Sequence, residues 1–151
     1  GQLIKVGQQV YIIPLISIVE SMPARPELVN HVAGGCDVFR LREEYIPIVK
    51  LWEIFGIEPL SRDLSQNLFV VVEVGSEKVA VVVDDLLGQQ QVVIKSMETN
   101  YKKVDGISGA TILGDGTVSL ILEITDLIKM AGVHHQKHTH LRLVKNRDRA
   151  A

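Results

Sequence analysis

An all-β domain of two similar small barrels is the fold that these 151 residues predict. Three observations point there. Apolar runs of four to seven residues, rich in Val and Ile, recur between Gly-containing turns, as β-branched residues do on a pleated surface. Gly114-Asp115-Gly116 sits between Ala110-Thr111-Ile112-Leu113 and Thr117-Val118-Ser119-Leu120-Ile121-Leu122, a hairpin signal because Gly takes positive φ without steric cost. The chain also repeats itself: residues 9–19 align with 78–88 at an offset of 69, and residues 48–55 with 121–128 at an offset of 73.

Taken in order, Leu3 to Val6 and Val10 to Ile13 flank a turn at Gly7-Gln8-Gln9. Pro14, without an N–H, marks an edge or a bulge. Leu15 to Met22 reads as one apolar extended stretch, and Pro23 and Pro26 bracket a loop. A second hairpin joins Val38 to Leu41 with Tyr45 to Ile48. Leu51-Trp52-Glu53-Ile54-Phe55 is a short helix stopped by Gly56. Glu58 to Gln66 is a polar connector. Leu68 to Val74 and Lys78 to Val83 form a third hairpin, apolar enough to be covered on both faces. Asp84-Asp85 interrupts it, and Leu86 to Ile94 follows. Glu98 to Asp105 is a polar loop. After the hairpin at Gly114-Asp115-Gly116, Thr125 can cap a last helix over Asp126 to Ala131, ended by Gly132.

Each copy of the repeat holds about 65 residues, too few to be robust alone, so the two should pack together with a groove between them. The expected units are about 7–65 and 66–125, with termini able to exchange between them, and a flexible, separable tail over 132–151. The tail carries 5 Lys+Arg against 1 Asp+Glu, a balance of +4, whereas residues 1–131 carry 11 against 17, a balance of −6. That acidic body argues against a nucleic-acid binder, although small barrels can present stacking aromatics and a basic groove. One cysteine, Cys36, permits no intrachain disulfide and fits a reducing compartment. No apolar run reaches the roughly 18–20 residues that span a bilayer, so no membrane insertion is expected. A chain that begins in mid-strand without Met reads as a piece of something longer.

No residue pattern calls for catalysis or a cofactor. Asp84 and Asp85 are strand neighbours and point to opposite faces, so a strand-end turn outweighs a carboxylate pair. Ser108 and Ser119 have no base near them in sequence. Gly114-Asp115-Gly116 is followed by no helix start that would cradle phosphate. His134, His135, His138 and His140 have spacings open to Zn²⁺, but no Cys or carboxylate set accompanies them, and weak adventitious affinity is the better reading. His31 stands alone in a loop. Trp52, at helical spacing with Phe55, reads as core. The Arg40/Arg42 pair and Lys102-Lys103 stand evenly between partner contacts and plain solvated surface.

Two stretches carry a family resemblance: Val82-Val83-Asp84-Asp85-Leu86-Leu87-Gly88-Gln89-Gln90-Gln91-Val92-Val93-Ile94-Lys95, and Gly106-Ile107-Ser108-Gly109-Ala110-Thr111-Ile112-Leu113-Gly114-Asp115-Gly116. Tyr45-Ile46-Pro47-Ile48-Val49 and Leu51-Trp52-Glu53-Ile54-Phe55-Gly56 support them. Together they resemble the CheW-like domain of bacterial chemotaxis proteins, most closely the C-terminal regulatory domain of the chemotaxis histidine kinase CheA, over roughly residues 2–131. The resemblance implies two intertwined five-stranded, SH3-like barrels. It also implies a non-catalytic adaptor in the cytoplasm, at membrane-associated receptor arrays. The partners it implies are the coupling protein CheW, chemoreceptor tips and other domains of the same kinase. Phosphorylation chemistry would lie in those other domains. A free-standing coupling protein is the alternative.

Partner contacts are expected where a barrel cannot cover its own apolar residues, beside turns and along the seam. Those positions are Met22, Val38 and Leu41 in the first unit, Ile107 and Leu113 in the second, and Leu86 and Leu87 near the seam. They follow from their place beside turns, not from the family.

Overall fold

Hairpins dominate from the first residues. The computed structural model describes residues 1–31, 37–91, 95–96 and 104–131. β1 (Gln2–Val6) and β2 (Gln9–Ile13) form the first hairpin, turning at Gly7, whose φ is +59°. The expected extended stretch after Pro14 is broken: Leu15–Ser17 is a 3-10 turn, and only then does β3 (Ile18–Pro23) begin. Pro14 fixes its own φ at the entrance of that turn, and Ser17 N–H donates to its carbonyl at 3.1 Å. A 3-10 turn at Pro26–Leu28 leads to the two-residue β4 (Val29–Asn30), which the sequence reading did not include.

β5 (Val38–Leu41), β6 (Glu44–Lys50) and α1 (Leu51–Phe55) follow as expected, with Gly56 in the left-handed conformation ending the helix. The connector carries a 3-10 turn at Leu64–Gln66, where the Asp63 carboxylate accepts from Ser65 N–H at 3.0 Å. β7 (Leu68–Val74) and β8 (Glu77–Val83) form the third hairpin, and Asp84 separates β8 from β9 (Asp85–Gln89). The chain ends in β10 (Lys95–Ser96), β11 (Ile107–Ile112), β12 (Val118–Leu122) and α2 (residues 124–131). α2 starts before the expected cap at Thr125; Leu127 N–H already reaches the Glu123 carbonyl at 3.2 Å. The expected tail, most of the Glu98–Asp105 loop and Cys36 lie outside the described residues.

Among the described residues the strands form two six-stranded sheets, in the orders β10-β11-β12-β2-β1-β9 and β4-β5-β6-β8-β7-β3. Each has five strands of four or more residues plus one two-residue strand, β10 or β4. Written this way, the orders show what the repeat does. β1–β2 of the first copy completes the sheet of the second copy, and β7–β8 of the second completes the sheet of the first. The two joints are parallel pairs: Leu120 beside Tyr11 and Ile121 beside Ile12 in one, Ile48 beside Ala80 and Val49 beside Val81 in the other. A boundary at residues 65/66 separates the two copies of the repeat but not the two sheets.

The exchange creates one shared core. Ile4, Val6, Tyr11 and Ile13 of one sheet lie in the same buried cluster as Phe39, Val70, Val72 and Val81 of the other. Phe39 and Phe69 meet edge to face at 4.7 Å, and Tyr11 stacks on Phe55 at 5.2 Å. A smaller cluster of Leu3, Ile12 and Ile121 lies apart, with Val10 and Leu113 packed against it.

Candidate functional site

Chemistry first: among the described residues, Asp84, Ser119 and Trp52 are held in structural roles. Asp84 Oδ2 accepts from Gly7 N–H at 2.6 Å and from Leu60 N–H at 2.9 Å, tying the β1–β2 turn to the connector. Asp85 is exposed and accepts from Leu86 N–H at 2.8 Å. Ser119 is buried and donates to the Val10 carbonyl at 3.0 Å, across the parallel joint. Trp52 is a core residue. His31 is mostly exposed but not alone: its Nδ1 lies 3.1 Å from Asp37, which Lys50 also approaches at 3.7 Å. Among the described residues, no group of three or more His, Cys, Asp or Glu could hold a metal ion. His134, His135, His138, His140 and Lys102-Lys103 lie outside those residues.

The titration shifts follow the same pattern. Burial pushes the Tyr11 phenol up to about 12. The Thr117 backbone N–H, 2.9 Å from Asp115 Oδ1, holds that carboxyl below its ordinary range, and the Ser65 hydroxyl does the same for Asp63. Each is explained by packing or by a turn. What remains is apolar surface.

Two exposed apolar groups stand out. Ile112 and Val118 are register partners at the turn end of the β11–β12 hairpin, 73% and 53% exposed. Cross-strand neighbours lie about 5 Å apart, so the two make one patch. The hairpin in the equivalent place, β5–β6, pairs Arg40 with Tyr45 and Leu41 with Glu44, and Glu44 is bound by Lys78 at 3.1 Å. One tip is therefore apolar and the other charged. The second group surrounds the Leu15–Ser17 turn: Leu15, the 97% exposed Ile16, Val19, and Val74 at the end of β7.

Of the residues singled out from sequence, Leu113 lies next to the first patch, half-buried against Leu3, Ile12 and Ile121. Leu87 is exposed on edge strand β9. Met22, Leu41 and Leu86 are half-buried against the main core. Val38 and Ile107 belong to the core and present almost no side-chain surface. The seven do not converge on one patch. Sequence reasoning passed over Ile112 and Val118 because it chose Leu113 beside the same turn without working out the face of each strand residue; the alternation Ala110, Ile112 against Val118, Leu120 was the available signal. It passed over Ile16 because a 3-10 turn has no mark beyond Pro14.

An open groove of about 700 Å³ lies between the copies of the repeat. Ile48, Val49, Ile54 and Phe55 line it from β6 and α1, and Val104 and Met130 from the other copy.

Comparison with known proteins places this architecture. The family model of the CheW-like domain matches residues 1–132. The chain belongs to the CheW-like domain family. It is 42% identical over 127 residues to chemotaxis protein CheA of Salmonella typhimurium, covering 84% of this chain and 19% of that one. It is 40% identical over 131 residues to CheA of Treponema pallidum, covering 86% of this chain and 16% of that one. The chain thus spans less than a fifth of these relatives' length. Among solved structures, the scaffolding protein TtCheW from Thermoanaerobacter tengcongensis shares the fold, with a TM-score of 0.59 at 16% identity, covering 81% of this chain and 86% of that one. The expected class, an all-β CheW-like domain similar to the regulatory domain of CheA, is the observed one.

Proposed function

We propose that this chain is the non-catalytic adaptor domain of a chemotaxis histidine kinase. It docks a CheW-type coupling protein and chemoreceptor tips, and so places the kinase's other domains under receptor control at cytoplasmic, membrane-associated arrays. The observation that carries the proposal is the Ile112/Val118 patch, on a domain of the family found in CheA. A monomer gains nothing from displaying two large aliphatic side chains at a hairpin tip, whereas an interface centre is built of such residues. Leu113 beside the tip, the Leu15–Ile16 turn and Leu87 are secondary contacts. Among the described residues, no helix is long and apolar enough to cross a membrane.

Ile112→Glu tests this. The side chain already faces solvent, so the melting temperature should stay within about 2 °C, while affinity for a CheW-type protein should fall by about 30-fold, roughly 2 kcal/mol. Unchanged affinity in Ile112→Glu, Leu113→Glu and Leu87→Glu would remove this surface from the proposal. A free-standing coupling protein is the second reading, favoured by the shared fold with TtCheW. The much higher identity to CheA weighs against it.

A further inference from the structure

We propose that the Leu15–Ser17 turn and the neighbouring β7–β8 turn form a seat for an extended, proline-bearing apolar segment of a partner protein. This goes beyond the adaptor role above, in which the turn is only a secondary contact, and it rests on the repeat instead of the family. One copy of the repeat shows such a seat filled. β1–β2 closes in a two-residue loop, with Val6 paired to Gln9 and Gly7 in the first loop position. The segment Ile57-Glu58-Pro59-Leu60, neither helix nor strand, lies over that loop. The Glu58 carbonyl takes the space that a Cβ on Gly7 would need, Pro59 is buried, and Leu60 N–H donates to Asp84 at 2.9 Å. Proline keeps such a segment out of a helix, because the residue before it is pushed to extended angles.

The other copy has the same seat uncovered. β7–β8 closes in the same way, with Val74 paired to Glu77 and Gly75 first in the loop at a φ of +65°. Among the described residues nothing lies within 4 Å of where a Cβ on Gly75 would be. The wall of the seat is equivalent too. Asp84 stands beside Gly7 because Asp85 pairs with Lys5, and the Leu15–Ser17 turn stands beside Gly75 because Ile18 pairs with Val72. At the repeat offset of 69, Leu15 and Ile16 take the places of Asp84 and Asp85. What differs is the chain after the helix. Gly56 ends α1 in the left-handed conformation and the next residues cross Gly7, whereas α2 is still helical at Lys129, the position matching Gly56, and runs on to Ala131. Left uncovered are Leu15, Ile16, Val19 and Val74, with Ile16 97% exposed. An occupant of this seat meets aliphatic side chains where Leu60 meets a carboxylate, so it brings apolar side chains of its own. The missing Cβ of Gly75 admits its backbone, as that of Gly7 admits Glu58.

The test uses the full chain, isotope-labelled for amide NMR. The probe is an acetylated and amidated hexapeptide, Gly-Ile-Leu-Pro-Leu-Ser, which repeats residues 56–61 with leucine in place of Glu58. It should shift the signals of Ile16, Ser17, Val74 and Gly75 saturably, with a Kd of about 1 mM or below. Ile16→Ser and Gly75→Asn should each weaken binding by about tenfold or more. Asn tolerates the left-handed conformation, so the turn survives while its side chain fills the space over Gly75. Both variants change exposed side chains only and should melt within about 3 °C of the wild type. A peptide with alanine in place of its proline should bind about threefold more weakly, having more freedom to lose. The absence of saturable shifts at those residues up to about 5 mM peptide overturns the proposal. So does equal affinity in the wild type and both variants, or a set of shifts centred on another face. A wild-type dimer in sedimentation equilibrium that Ile16→Ser disperses also overturns it, since the occupant is then a second copy. No CheW-type protein enters the experiment, so its outcome is separate from that of the adaptor role.

Discussion

Gly7 and Asp84 show how much one residue can fix in this molecule. A Cβ on Gly7 would lie 2.1 Å from the Glu58 carbonyl oxygen, at a φ of +59°. The β1–β2 turn is pressed against the connector, and Asp84 closes the contact from the third side. Gly7→Ala should therefore cost at least about 2 kcal/mol in urea unfolding, from left-handed strain plus a backbone collision. Asp84→Ala removes a charged acceptor from two N–H groups and should cost about 1.5–3 kcal/mol. A loss under 0.5 kcal/mol in both would mean the junction holds nothing. Sequence reading placed Asp84 in a turn, correctly, but nothing in it says that the carboxylate reaches a turn 77 residues earlier. Long-range partners leave no local trace.

Tyr11 gives a pH prediction at the same scale. Its folded pKa, about 12, lies above the unfolded value near 10. The unfolded chain thus gives up the proton first as pH rises, and the stability Tyr11 contributes is whole below pH 10 and lost through pH 12. Tyr11→Phe should unfold less steeply over pH 10–12 than the wild type. Parallel curves would show that the phenol is not desolvated.

At the scale of elements, hairpins are what the sequence spells clearly. Gly-containing turns between β-branched runs located β1–β2, β7–β8 and β11–β12, and the charged Arg42-Glu43-Glu44 break between apolar runs located β5–β6, each within a few residues. Partnership between hairpins was less legible. The repeat offsets of 69 and 73 revealed two copies, and apolar faces on both sides of β7 and β8 revealed burial, but neither says whose sheet a hairpin enters. That choice is made by tertiary packing: the exchange places Tyr11 and Val81 in one core. It follows that neither copy can complete a sheet alone. Residues 1–62 and 63–151, made as separate chains cut in the exposed connector, should each be unfolded and should regain the native circular dichroism spectrum when mixed one to one. A fragment that melts cooperatively by itself would contradict the exchange.

Over the whole molecule, the shared core draws both copies of the repeat into one buried cluster and leaves little apolar surface exposed. Two sheets that cover each other leave hairpin tips, a 3-10 turn and a groove between the copies as the places where apolar side chains meet water. The sequence led to that class of surface, turns and seam, and named Leu113 and Leu87 within reach of it. It did not separate Val38 and Ile107, which look the same beside their turns but face inward, because a one-residue phase shift along a strand decides the face. The adaptor role is tested most directly by isothermal titration of the full chain with a purified CheW-type coupling protein at two temperatures. Saturable one-to-one binding at micromolar or better affinity is expected, with a negative heat-capacity change from burial of apolar surface. An absence of heat at both temperatures, together with no co-elution at 100 µM of each protein, would contradict it.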